Sequence, residues 1–249
     1  MAFNLLVTPG HSGNERPKTP HDGNRLEIAP CQAKVKHRSR KVSGKRHPGR
    51  RAARSRKNSD RQTTEQTEMT ATKINETIDV AYEADVCVVG GGPAGVCAAL
   101  AAARHGLRVI VVEQANCLGG IATSGLHGHI CRFASWADDS ERVVGGIGHE
   151  IADRVFRAGF GSYDGANCDF EVEGLKFVLE KMVAEAGELR LLYYTQFSNV
   201  TVEAGRIRHV IVQNKSGRQA IRADLVIDCT GDADVAARAG VPFEMGRKK

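Results

Sequence analysis

Gly90, Gly92 and Gly95 stand in the spacing G-x-G-x-x-G within Gly90-Gly91-Gly92-Pro93-Ala94-Gly95, and Glu113 follows 23 residues after Gly90. In that spacing each glycine has a mechanical task. The first allows a tight turn out of a strand, the second lets a pyrophosphate approach the backbone, and the third lets a helix lie close to a sheet. The phosphates then meet the free amides and the positive dipole end of the helix. An acid roughly 20 residues further on accepts hydrogen bonds from a ribose 2′-hydroxyl and disfavours a 2′-phosphate. These residue types in this order point to the holding of a dinucleotide.

They can do so only if the right elements carry them. Asp85-Val86-Cys87-Val88-Val89 reads as a short, nearly all-apolar strand of the kind buried on both faces. The Ala-rich stretch 96–105 predicts a helix ended by Gly106, and 107–112 predicts a second buried strand that closes on Glu113. Together they make a complete β-α-β unit. That unit alone does not choose between FAD and NAD, and the residues downstream bear on the choice. Cys117-Leu118-Gly119-Gly120-Ile121-Ala122-Thr123-Ser124-Gly125 is a second loop of small residues, which permits close backbone approach to a further part of an extended cofactor. Leu225-Val226-Ile227-Asp228-Cys229 predicts a third buried strand, with Thr230-Gly231-Asp232 at its carboxyl end, where ligands bind in open α/β sheets.

With these motifs in view, residues 84–246 closely resemble the FAD-dependent oxidoreductase family of the glutathione-reductase-like superfamily. The resemblance also rests on Val143-Val144-Gly145-Gly146-Ile147 leading into a helix, on Phe170-Glu171 before a helix at 175–186, and on Ala237-Arg238-Ala239-Gly240-Val241-Pro242. It implies that Gly90, Gly92, Pro93, Ala94 and Gly95 line the pyrophosphate and that Glu113 and Gln114 meet the adenosine. It further implies Gly119, Gly120, Ala122 and Thr123 near the ribityl chain and isoalloxazine, with Thr230, Gly231 and Asp232 closing over the cofactor. Tyr194-Thr195-Gln196-Phe197 looks like the place where the family holds adenine by backbone, and Phe197 is the residue chosen there. FAD is thus the expected cofactor, and an unidentified small molecule the expected substrate. A non-catalytic dinucleotide-binding module and an NAD-linked dehydrogenase stand as alternatives. The family continues beyond a Gly-Val-Pro segment into a substrate domain, so the chain reads as an N-terminal fragment, expected to bind FAD weakly or not at all by itself.

The expected fold is an α/β, Rossmann-like FAD/NAD(P)-binding domain over residues 79–249: a parallel sheet with helices on both sides and a small antiparallel meander. The meander is read at 200–203, 206–212 and 218–223, with Ala204-Gly205 and Lys215-Ser216-Gly217 at its turns. The helix 175–186 carries apolar spacings of three and four and packs on the core, while Glu150 and Asp153 on the helix before it read as solvated charges.

The formal charge of +6 on 249 residues conceals two regions. Residues 1–75 hold 17 Lys/Arg against 6 Asp/Glu, and the rest hold 18 against 23. Residues 1–78 therefore read as a basic, disordered tail that buries too little apolar surface to offset its ordering entropy. It has no aromatic residue between Leu26 and Asn75 on which a base could stack, so no specific nucleic-acid partner is expected. Met69 is an alternative start, with 1–68 an over-extended reading frame. No apolar run approaches the roughly 20 residues of a membrane-spanning helix, and Arg50-Arg51 is followed by Ala-Ala-Arg-Ser-Arg-Lys rather than an apolar stretch; the expected compartment is the cytoplasm.

His127, His129 and Cys131 form H-x-H-x-C, which on an extended strand would share one face. No fourth ligand stands at useful spacing, so they read as polar lining of the flavin or substrate cavity and no metal is expected. No catalytic residue is assigned. The seven cysteines make no C-x-x-C, and only Cys117, beside the Gly-Gly loop, is a candidate for redox exchange.

Overall fold

A computed structural model of the chain describes residues 74–138 and 141–246, with the backbone of a short strand at 25–27. The Lys/Arg-rich stretch 34–61, Met69 and most of the expected tail lie outside the described residues. By its contacts the chain divides into two units, Met1–Ala29 with Glu76–Lys249, and Pro30–Asn75. All the elements below belong to the first.

The central strand β2 spans Thr77–Val89 and is longer than expected. Its second half is the apolar run seen in the sequence, buried from Val86 to Val89. Its first half alternates in burial, with Ile78 and Ala84 buried between exposed residues. An all-apolar criterion passes over such a half-covered stretch. The first half pairs with the strand β1, Arg25–Glu27, which runs antiparallel to Thr77–Asp79. A strand at that place differs from the disorder expected of the tail.

The helix α1 (Pro93–Arg104) follows β2, then the strand β3 (Val109–Val112). A small three-stranded sheet is formed by β4 (His129–Cys131), β5 (Gly161–Tyr163) and β6 (Asn167–Phe170), in the order β4-β6-β5. It is interleaved with the helices α2 (Gly146–Arg157) and α3 (Val172–Ala184). The strand β7 (Leu189–Leu192) then pairs with β3, and the chain continues through β8 (Gln196–Glu203), β9 (Arg206–Asn214), β10 (Gly217–Asp228) and the short helix α4 (Asp234–Arg238). In the main sheet the order is β7-β3-β2-β10-β9-β8. The first three neighbour pairs are parallel and the last two antiparallel.

The last meander strand and the third buried strand, expected as separate elements, are a single strand. The start of β10 pairs antiparallel with β9 from Gly217 to Arg222, while Ala220 to Asp228 run parallel to β2. Only Asp224 separates Ala223 from Leu225, and one turn-favouring residue without glycine or proline beside it does not interrupt the strand. The meander therefore belongs to the main sheet.

Helices lie on both faces but unequally, with α1, α2 and α3 on one and only the short α4 on the other. Ala99, Ala102 and Ala103 of α1 pack on Val86, Val88, Val109 and Val111; these small side chains let the helix come close to the strands. Leu100 and Val96, on the same helix, meet Ile151 and Val155 of α2 and Val178, Leu179 and Met182 of α3. The opposite face, Cys87, Val89, Ile110 and Val112, is covered instead by Val200, Val210 and Val212 of the meander with Val235 of α4. Sheet twist carries the meander's apolar face back over its own parallel strands, so a β layer takes the place of a second helical layer.

Candidate functional site

The four parallel strands stop in one register row: Leu192 beside Val112, Val112 beside Val89, and Val89 beside Asp228. One further rung continues past it. The amide of Gly90 donates to the Val112 carbonyl at 2.8 Å, that of Glu113 to Leu192 at 3.0 Å, and that of Cys229 to Val89 at 2.8 Å. The sheet thus delivers Gly90, Glu113 and the Cys229-Thr230 peptide to one carboxyl edge, the place where open α/β sheets bind ligands.

The three glycines separate by task as their spacing implies. A Cβ on Gly90, whose φ is +103°, would overlap the Cys229 carbonyl, so only glycine lets the third strand's end lie against the turn. A Cβ on Gly95 would overlap the Gly90 carbonyl oxygen, which is the close helix–strand approach of the motif. A Cβ on Gly92 would meet nothing within 4 Å. The backbone there is bare on the side where a bulky ligand would approach. Helix α1 has Pro93 at its first position, no side-chain cap and no acid in its first turn, so its amino end offers positive potential to an anion.

Glu113 is buried, and both carboxylate oxygens accept backbone bonds: one from the Gly91 amide at 2.7 Å, the other from the Ala115 amide at 2.7 Å. It therefore clasps the glycine turn to the tip of β3. A carboxylate oxygen has a second lone pair, so the clasp leaves acceptor capacity for a ribose hydroxyl. Gln114, next to it, is exposed.

The second small-residue loop is bonded to the first. Gly119 donates to the Gly91 carbonyl at 2.8 Å, and a Cβ on Gly120 would stand 3.0 Å from Gly92 Cα. Gly119 and Gly120 thus join the fingerprint directly. Ala122 and Thr123 do not present side chains to a ligand: both are buried, and the Thr123 hydroxyl donates to the Leu118 carbonyl at 2.5 Å. Their part is to fix the loop's shape. Cys117 is buried beside them, its sulfur 3.4 Å from the Ser124 hydroxyl, a packed position that a redox partner does not reach.

At the third strand, Asp228 organises the segment that follows. One carboxylate oxygen accepts from the Thr230 amide and hydroxyl at 3.1 and 2.7 Å, and the other accepts from the Ala236 amide at 2.9 Å. The Thr230 oxygen in turn accepts from the Asp234 amide at 2.9 Å. Thr230 is thereby held beside Gly90, while Gly231 and Asp232 are exposed. Asp228 was legible only as the end of a strand; an acid followed by Thr-Gly carries the signal of a side chain that caps the turn after it.

Around the β7–β8 turn, the Tyr194 amide donates to the Ala115 carbonyl at 3.1 Å and the Thr195 amide to the Glu113 carbonyl at 3.0 Å, so 194–195 sit against the acid's strand tip. Tyr193 turns inward and donates its hydroxyl to Glu180, and burial together with that carboxylate pushes its phenol above the ordinary range. Phe197 lies within β8 and packs partly buried against the core, so its side chain faces the protein.

Among the described residues no three His, Cys, Asp or Glu side chains come together as a metal site. His129 instead pairs with Asp169 across β4 and β6 at 2.6 Å. Glu150, expected as a solvated charge, is engaged: Arg104 grips it with two bonds of 2.7 and 2.9 Å, and Arg154 links it to Glu185. Two surface depressions of about 520 and 400 Å3, one at Arg104, Arg154 and Glu185 and one at Arg108, His209 and Arg222, lie away from the glycine turn.

The sequence profile described as FAD dependent oxidoreductase matches residues 85–249. The chain belongs to that family. It is 32% identical over 187 residues to a digeranylgeranylglycerophospholipid reductase of Methanopyrus kandleri, covering 66% of this chain and 43% of that protein. It is 31% identical over 168 residues to a thiamine thiazole synthase of Aeropyrum pernix, covering 62% of this chain and 57% of that one. An FAD-dependent monooxygenase of Aspergillus terreus matches at 28% identity over 67% of this chain and 24% of its own length. This FAD-dependent oxidoreductase chain thus spans between a quarter and just over half of these relatives. Among solved structures, a geranylgeranyl bacteriochlorophyll reductase-like protein of Thermoplasma acidophilum superposes with a TM-score of 0.47 at 21% identity, over 66% of this chain and 44% of that one. FAD is the family's cofactor, and the bare backbone at Gly92, the uncapped amino end of α1 and the acid at the β3 tip fit it.

Proposed function

We propose that this chain is the FAD-holding part of an oxidoreductase that moves a hydride or an electron pair between FAD and a small-molecule substrate. The observation that carries this is the convergence, at one edge of the sheet, of a glycine turn open at Gly92, an acid at Glu113 and a second turn at Thr230. In this reading the amides of Ala94 and Gly95 and the bare Gly92 backbone receive the pyrophosphate. Glu113 accepts from the ribose, and Gln114 lies along the adenosine. Gly119 and Gly120 give close backbone approach to the ribityl chain, while Thr230, Gly231 and Asp232 close over the cofactor from the β10 side; Phe197 contributes backbone on the adenine side. When bound, FAD supplies the redox chemistry, and the protein supplies placement and electrostatics. Thr123 and Asp228 do no chemistry themselves, but hold the two turns in shape.

The same reading places the protein in the cytoplasm, in keeping with Cys87, Cys97, Cys117, Cys131, Cys168 and Cys229 all being free thiols. Among the described residues no helix is long and apolar enough to cross a membrane.

Thermal melting with added ligand tests the cofactor assignment. A ligand that binds only the folded state stabilises it by about 2.7 kcal/mol at 100 times its Kd. Because the chain reads as a fragment that holds FAD weakly, FAD is expected to raise the melting temperature only at high concentration, and there more than NAD does. Equal shifts, or a shift with NAD alone, would return the site to a nicotinamide dinucleotide.

A further inference from the structure

We infer that His129, oriented by Asp169, is the proton acceptor at the redox end of the site, a role that rests on the FAD reading above. His129 and Asp169 face each other across β4 and β6, with Nδ1 and Oδ1 2.6 Å apart. A carboxylate oxygen only accepts, so the ring hydrogen is on Nδ1 and Nε2 keeps its lone pair. In that arrangement an acid orients a histidine to act as a base. The nearby His127 lacks it: its ring meets that of His129 edge-on, with centroids 6.5 Å apart, and among the described residues no carboxylate pairs with it. Core packing does not call for the pair either. Ile130, Cys168 and Phe170 turn to the core, so the alternation along β4 and β6 sends His129 and Asp169 to the opposite face of the small sheet. There 40% of the His129 side chain is exposed and 68% of that of Asp169, and a pair so open to water adds little to stability.

The path of the chain sets the pair at the flavin end. Gly119 and Gly120 lie against Gly91 and Gly92. The loop then folds back on itself, the amide of Gly125 donating to the Gly120 carbonyl and that of His127 to the Ile121 carbonyl, both at 3.1 Å. The approach to β4 therefore begins beside the loop that, in the FAD reading, meets the ribityl chain. His129 is two residues further on, about 7 Å of extended chain at most. The Gly128 carbonyl accepts from the Phe170 amide at 3.0 Å, which ties β4 to β6 one residue before the pair. The adenosine end of the cofactor belongs instead at Glu113, on the tip of β3. A hydride that leaves a carbon for FAD takes both electrons of a C–H bond. If that carbon bears a hydroxyl or an amine, the O–H or N–H gives up its proton as its own electrons form the C=O or C=N bond. His129 Nε2 takes that proton and, as imidazolium, returns it to water after the product leaves.

Acylation of the full chain with diethyl pyrocarbonate, read residue by residue by peptide mass spectrometry, tests this, because the reagent bonds only to a ring nitrogen with a free lone pair. His129 is expected to react in the ligand-free chain. FAD, at a concentration that calorimetry shows to fill the site, should block that reaction, whereas ADP, which carries adenine, ribose and pyrophosphate without the flavin, should not. Asp169→Asn is expected to slow the acylation of ligand-free His129 by about tenfold, the shift in equilibrium that one hydrogen bond brings, because an amide lets the ring take the tautomer with its hydrogen on Nε2. His127 should keep its rate. Protection by FAD and ADP alike, or by neither while FAD is bound, sets His129 away from the redox end and overturns the inference with the cofactor assignment intact. An unchanged His129 rate in Asp169→Asn overturns the orienting role of the acid. Should no concentration of FAD bind, the cofactor assignment falls and this role with it.

Discussion

Two glycines three residues apart in the fingerprint, Gly92 and Gly95, are expected to respond to the same substitution in opposite ways. Gly92 has φ −66° as the residue preceding α1, a conformation open to any L residue, and its added Cβ meets no protein atom. Gly92→Ala should therefore leave the ligand-free protein as stable, or stabilise it by up to about 1 kcal/mol through the unfolded state. It should nevertheless reduce FAD affinity, because the methyl group fills the approach to the pyrophosphate. Gly95→Ala forces a methyl group onto the Gly90 carbonyl and should destabilise the fold by about 3 kcal/mol or more. Denaturant unfolding of both variants, paired with FAD titration, checks this; equal stability losses would show that the space at Gly92 is not open, and an undiminished FAD affinity of Gly92→Ala that it is not a ligand's. These roles were legible beforehand because each glycine's task follows from its place in the spacing. The roles of Thr123 and Asp228 were not, since a buried hydroxyl and a capping carboxylate look in sequence like ligand contacts or strand ends until their partners are known.

The three helices on one face are joined by charge as well as by packing. Arg104 of α1, Glu150 and Arg154 of α2, and Glu185 just past α3 form a chain of ion pairs, with Arg104–Glu150 at 2.7 Å and Arg154–Glu185 at 2.5 Å. The Arg104 guanidinium bonded to Glu150 holds that carboxyl below its ordinary range. A carboxyl depressed in the fold contributes stability above its unfolded pKa of about 4.3, and that contribution is lost as the pH falls through the lower folded value. Glu150→Gln is accordingly expected to cost about 1 kcal/mol at pH 7, a partly exposed but bidentate pair being worth no more. The difference from the unaltered protein should shrink as the pH drops below about 4. Melting curves at several pH values measure it, and a gap that stays constant into acid would remove the pairing from the account. In sequence, Glu150 and Arg104 stand 46 residues apart on separate helices, so only the tertiary fold could reveal the pair. The continuity of β10 escaped for a related reason: a strand that changes partner midway, antiparallel to β9 and then parallel to β2, changes its burial pattern with no break in the backbone.

On the scale of the molecule, the site is a junction of segments far apart in the chain, and the bonds that join them do not depend on a ligand. Gly91 is held by Glu113 and by Gly119, Gly90 lies against Cys229, and Glu113 receives the Thr195 amide. Each bond spans two loops at the carboxyl edge, while β3 and the end of β2 beneath are buried on both faces. Local opening of any one loop must break a bond that shapes its neighbour, so the loops should open together and less expensively than the strands that carry them. A cofactor in contact with all of them would then raise the opening free energy of the whole edge at once. Amide exchange with and without FAD is expected to show joint slowing at 90–95, 113–120 and 229–232, with the amides of β3 and of 85–89 already slow and little changed. Protection confined to the glycine turn would mean that the ligand touches only the pyrophosphate cradle, and the common edge would then be a property of the fold and not of the site.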